Sequence, residues 1–155
     1  MIHALHPLVV HFPVALLITS LVFECLWRLF HVEACRVTAR GCLIAGTIGA
    51  AFAVWSGLEA AEVAVGSVNA YRLMDLHEKL GITVLCGSLL LSGFSLAMRK
   101  WKVPFYPLIH LLVLLGIVAT LTVGAYLGGR LVYEFGLGTH IRSQNPPDLK
   151  EGDDR

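Results

Sequence analysis

The chain reads as all-α, an integral membrane four-helix bundle with both termini on the outer side. Three observations carry this expectation. Of 155 residues, 56% are hydrophobic and 15% charged, with mean hydropathy +0.72, whereas soluble domains run nearer a quarter charged. Four uncharged runs, Val9–Phe23, Gly41–Leu58, Leu80–Met98 and Val103–Gly129, divide the chain, and a membrane span needs roughly 20 apolar residues. Basic residues concentrate in alternate loops, Arg28, Arg36 and Arg40 after the first run and Arg99, Lys100 and Lys102 after the third. By the positive-inside rule those two loops are cytoplasmic.

Span one covers about 7–29. Pro7 suits a first helical position, where its missing N–H is not needed, and His6 is then the cap. The run continues through Glu24, Cys25, Leu26 and Trp27. It has no basic leader and no small-residue cleavage site after it, so it reads as a retained span rather than a signal peptide. Pro13 falls inside the helix and cannot bond the Val9 carbonyl. A local kink is expected there, close to His11, with the freed carbonyl satisfied by neighbours or water.

Span two covers about 41–62 and carries small residues at Ala45, Gly49, Ala53 and Gly57. Span four, about 104–128, repeats this at Gly116, Thr120, Gly124 and Gly128. Such stripes let helices approach closely in lipid, within one bundle or between copies of the chain. Span three, about 77–98, opens with Asp75-Leu76-His77-Glu78, the spacing of a capping box. His77 would then lie in the first turn, where the helix dipole favours neutral imidazole, the form that binds metal. Residues 131–155 turn polar and read as a periplasmic tail. With residues 1–130 taken up by the bundle, chemistry belongs in the bundle or on a partner.

A net charge of +1 offers nucleic acid no basic surface. Cys25, Cys35, Cys42 and Cys86 form no C-x-x-C or C-x-x-C-H, so neither a zinc ribbon nor covalent c-type haem is expected.

The seven histidines are the functional candidates, because an ionisable side chain inside a span is expensive. His3 and His31 read as solvated. His6, His11, His77 and His140 fall on the outer side, with Glu59 and Glu62 ending span two there. His11 lies about 6 Å below the membrane edge by the helical rise, and His77 near the start of span three. Two histidines on facing helices are a donor set for a b-type haem, so His11 and His77 are the first-choice axial ligands; a non-haem metal site or plain polar contacts are the alternatives. Arg72, Arg130 and Arg142 are cations suited to haem propionates. Glu59 would orient His77 through its second nitrogen. His110, about 10 Å deep from the cytoplasmic side, either serves another cofactor or links helices. His6, His110 and His140 stand in second rank.

The chain resembles a family of small bacterial four-span membrane proteins catalogued as a domain of unknown function. The likeness rests on the opening H-P-x-x-V-H-F-P at His6–Pro13, on Gly57 and Glu59 ending span two, on His77, and on the closing G-G-x-L-V-Y at Gly128–Tyr133. It covers about residues 3–139. Glu59 stands where the family more often has Asp, and Phe135 where a histidine often follows. Members fused or adjacent to Rieske or cytochrome modules imply respiratory redox chemistry. The expectation is therefore a small b-type cytochrome or cytochrome-like subunit in the bacterial inner membrane. It would relay electrons between the quinone pool and a cytochrome or Rieske-type partner, rather than act as a stand-alone enzyme. The alternatives are a non-catalytic assembly subunit of a larger respiratory complex and, third, a metal or solute carrier.

Overall fold

The computed structural model describes residues 6–62, 67–98 and 105–137. Five helical segments make four spans: α1 (His6–Val9) and α2 (His11–Phe30) in succession, α3 (Glu33–Glu62), α4 (Val68–Ala97) and α5 (Tyr106–Tyr133). Each span is long and apolar enough to cross a bilayer. The described residues are otherwise turns and short links, with no strand among them. Neighbouring helices run antiparallel. Ser20 reaches the Ala39 carbonyl across α2 and α3, Thr47 meets Ser92 across α3 and α4, and Glu24 meets His110 across α2 and α5.

At Pro13 the structure shows a missing bond within a continuous helical path, where the sequence predicts a kink. The hydrogen-bond ladder is interrupted between α1 and α2, yet Val10 keeps helical dihedrals (φ −62, ψ −23) and its N–H donates to His6 at 3.1 Å. The first span is therefore one helical path with one bond missing. Pro13 is buried, and its ring lies against Gly49, where an added Cβ would be 3.2 Å from Pro13 Cδ. The small-residue stripe of α3 thus serves packing inside the chain. Ala53 is buried and Gly57 meets His6, while Ala45 is exposed.

Three boundaries differ from the sequence reading. The second span begins at Glu33 rather than about 41, so Arg36 and Arg40 lie within α3. The third span begins at Val68, and its cap is Ser67, whose hydroxyl accepts the Ala70 N–H at 3.3 Å. Asp75 instead pairs with Lys79 one turn on, at 2.7 Å on the exposed surface. His77 therefore lies in the third turn of α4, and no capping box forms. The last helix runs on to Tyr133 and closes with a bidentate Arg130–Glu134 pair, both contacts 2.8 Å. The hydrogen bond from Arg130 holds the Glu134 carboxyl below its ordinary range.

Leu17, Leu43, Val84, Leu91, Leu114, Ile117 and Val118 form the apolar core at mid-bundle. Buried hydroxyls flank it. Thr47 donates to the Leu43 carbonyl at 2.8 Å and meets Ser92 at 3.0 Å, which satisfies polar atoms that lipid could not.

The burial pattern repeats along the chain. The buried positions of α2, Pro13, Leu17, Ser20 and Glu24, correspond at an offset of 71 residues to Val84, Ser88, Leu91 and Ser95, all buried in α4. Leu43, Gly46, Thr47, Ala53 and Ser56 of α3 correspond in the same way to the buried Leu114, Ile117, Val118, Gly124 and Leu127 of α5. The bundle is two helical hairpins in one register, packed side by side. Identical residues are few at this offset, but they include His6 with His77, Phe23 with Phe94, Leu43 with Leu114 and Gly57 with Gly128.

Candidate functional site

The register match brings two histidines together at one end of the bundle. His6 enters from α1 and His77 from α4, with ring centroids 6.4 Å apart and ring planes at 85°. Both are half-buried. By the helical rise His77 is about 14 Å from the start of α4. A 30-residue helix spans about 45 Å against a hydrocarbon layer of about 30 Å. With α4 centred in that layer, the pair lies about 6 Å below its edge.

Each ring is held by the second helix of its own hairpin. His77 Nδ1 donates to the Gly124 carbonyl of α5 at 2.9 Å. His6 Nδ1 lies 3.0 Å from Ser56 Oγ of α3, and the Ser56 hydroxyl donates to the Ala53 carbonyl at 3.1 Å. With the Ser56 proton on the Ala53 carbonyl, Ser56 accepts from His6 Nδ1–H. This assignment makes both neutral rings Nδ1–H tautomers, with the lone pair of each on Nε2. No hydrogen bond to either Nε2 forms among the described residues. The rings also rest on glycine. A Cβ on Gly57 would come within 2.9 Å of His6 Cε1, and one on Gly128 within 3.0 Å of His77 Cε1. No larger residue fits at either position while the ring stays where it is.

The structure joins His77 to His6 rather than to His11. His11 is exposed. Five residues separate it from His6, about 140° around a helix of 3.6 residues per turn, so the two cannot face the same interior. The side of the span that carries His6 continues through the buried Pro13, Leu17, Ser20 and Glu24. Glu59 does not orient His77, because the Gly124 carbonyl takes Nδ1. Arg72 is exposed on α4, and Arg130 is clasped by Glu134. His140 and Arg142, like His3, lie outside the described residues. His31 is exposed at the end of α2, in the left-handed conformation with φ 55.

His110 belongs to the other end, about 21 Å along α5 from Gly124 by the helical rise. It is buried, with Nδ1 3.4 Å from Glu24 Oε1; Arg28 Nη2 donates to the same oxygen at 2.9 Å and also to the Pro107 carbonyl. His110 is thus a link between α2 and α5. Read from sequence, Glu24 falls in span one and Arg28 in the loop after it with no link between them, although an acid inside an apolar run with a base four residues on is a legible signal. Nothing in the sequence singles out Ser56 or the Gly124 carbonyl, whose role depends on helix pairing.

Among the described residues no three His, Cys, Asp or Glu side chains converge as a metal site, so the histidine pair is a two-donor set.

The family model described as "Predicted membrane protein (DUF2231)" matches residues 2–140. The chain belongs to that family. The match takes in both hairpins, the His6–Pro13 opening and the Gly128–Tyr133 closing. No curated protein matches the chain, and no solved structure does.

Proposed function

We propose that the chain is a b-type cytochrome-like membrane subunit in which His6 and His77 hold haem iron as its two axial ligands. One observation carries this reading: two imidazoles with matched tautomers, each presenting an unpartnered Nε2, from equivalent positions of two hairpins. The ring centroids are 6.4 Å apart, close to the roughly 6 Å that two metal–imidazole bonds of about 2 Å would span with both Nε2 atoms turned towards the metal. A metal-bound histidine characteristically donates its other ring N–H to a carbonyl or similar acceptor, as His77 does to Gly124 and His6 to Ser56. Iron between the two rings would occupy the place where the hairpins' matching positions meet, so neither hairpin binds it alone. A two-donor set also suits haem, which supplies the equatorial nitrogens itself, better than structural zinc, which takes four protein ligands.

Bound haem would supply one-electron chemistry. The chain's part is to hold the imidazoles aligned and to keep the ligands within apolar surroundings. We place the pair on the periplasmic side of the bacterial inner membrane, from the Lys and Arg of the first and third loops, within reach of the quinone pool and of a cytochrome or Rieske-type partner. Haem content tests the reading. The purified chain should carry one haem per chain, and the loaded protein should melt higher than the stripped one, because haem binds only the folded bundle. A folded chain, expressed with ample haem, that carries none and is not stabilised by adding it would refute the proposal.

A further inference from the structure

The opposite end of the bundle breaks the match between hairpins. Where α2 has the buried Glu24, α4 has Ser95, and where α5 has the buried His110, α3 has Ala39. Around these unmatched residues is a cavity of about 20 Å³, open on one side and lined by Glu24, Trp27, Arg36, Arg40, Tyr106 and His110. That is room for one water-sized atom.

Its wall holds polar atoms that lack hydrogen bonds. Tyr106 Oη, whose O–H can donate, and the ring nitrogens of His110, one of which carries a proton in the neutral ring, are buried without a hydrogen-bond partner, although His110 Nδ1 approaches Glu24 at 3.4 Å. The side chain of His110 is 6% exposed and that of Glu24 7%. The buried carboxylate already serves Arg28 and approaches His110. Arg36 is also 3.7 Å from Glu33, whose side chain is 67% exposed. Two guanidinium groups, of Arg36 and Arg40, thus line the cavity with one carboxylate, that of Glu24. Arg28 and Arg36 lie over the Trp27 ring at 5.3 and 4.8 Å.

We infer that this cavity binds an oxyanion of phosphate type, one oxygen entering against Tyr106 and His110 while the rest stays at the mouth beside Arg36 and Arg40. Buried donors without acceptors cost free energy that an entering acceptor relieves. Arginine pairs with phosphate oxygens through planar, charge-assisted bonds. The excess of positive charge favours an anion over a neutral carbonyl, and the volume admits an oxygen atom rather than a ring. Helix ends at this depth meet the headgroup layer, and basic pockets between spanning helices take anionic lipid headgroups. A phosphodiester of phosphatidylglycerol and free inorganic phosphate share this chemistry.

The test uses the full chain in dodecyl maltoside micelles, which carry no phosphate, with phosphatidylglycerol or inorganic phosphate as probe. With Trp55→Phe and Trp101→Phe, the emission of Trp27 reports on the cavity. A saturable change is expected. Saturation by phosphatidylglycerol alone identifies a lipid source, and saturation by inorganic phosphate identifies a free anion. Arg40→Gln and Tyr106→Phe should each weaken half-saturation at least tenfold, and Tyr106→Phe keeps the ring that packs against Phe94 and His110. Retention of phosphatidylglycerol by the unsubstituted chain in native mass spectrometry gives a reading that needs no tryptophan change. Lack of saturation by either probe together with no lipid retention, or binding by both variants equal to the parent, would overturn the inference.

Discussion

Substituting Gly57 by Ala tests whether the His6 ring is seated on the α3 backbone. The new methyl would stand 2.9 Å from His6 Cε1 and 3.3 Å from Nδ1, closer than packed carbons tolerate. The ring cannot give way freely, because Nδ1 is tied to Ser56 at 3.0 Å. Overpacking costs about 1–3 kcal/mol, and losing the His6–Ser56 bond adds about 1 kcal/mol. Against this, Ala is favoured over Gly in a helix by about 1 kcal/mol. The net expectation is a destabilisation of about 1–3 kcal/mol. The control is Gly93→Ala, where nothing lies within 4 Å of the added Cβ; it should be neutral or up to about 1 kcal/mol stabilising. Unfolding of detergent-solubilised protein by titrated SDS reads both. Gly57→Ala as stable as Gly93→Ala would mean that the ring does not sit where the structure has it. Gly128→Ala, 3.0 Å from His77 Cε1, should match Gly57→Ala, since the two glycines are equivalents in the two hairpins.

Glu24→Ala leaves Arg28 and His110 without their shared acid; loss of one partner of a buried pair costs about 3–5 kcal/mol, and the lower end is expected because Arg28 is 23% exposed, read by the same SDS titration. His11→Ala, at an exposed position, should shift stability by less than about 0.5 kcal/mol on that assay. Lowering the pH below the ordinary carboxylate value should progressively weaken the Arg130–Glu134 clasp, because the Arg130 hydrogen bond lowers Glu134's pKa; its stabilisation is full above that ordinary value and is gone once the pH has fallen through the lowered one, seen as faster amide exchange at the end of α5.

The four spans were legible because hydropathy and length decide them, and so was the interruption at Pro13, which follows from one missing N–H. The histidine pairing was only half legible. His77 stood out alone in its span, but the opening motif offers His6 and His11, and the choice between them turns on helical phase. Counting from Pro13 would have decided it. His6 is seven residues before that proline, two full turns and hence the same face, whereas His11 is two residues before it and points away. The start of α4 was misread because Asp75 and Glu78 carry the capping spacing, while Ser67 caps the helix more than a turn earlier. The matched hairpins escaped notice because so few residues are identical; burial, rather than residue identity, is what repeats at 71 positions. Glu24 was hidden by being read as the end of an apolar run.

The reduced-minus-oxidised absorption spectrum of the purified chain, recorded beside those of His6→Ala, His77→Ala and His11→Ala, tests the central claim most directly. The parent and His11→Ala should show the same sharpened Soret band and split visible bands of a low-spin haem with two imidazole ligands. His6→Ala and His77→Ala should each lose those bands or convert them to a high-spin form. A parent spectrum that vanishes in His11→Ala and survives in His6→Ala would contradict the pairing, and a colourless, folded parent would contradict the haem itself.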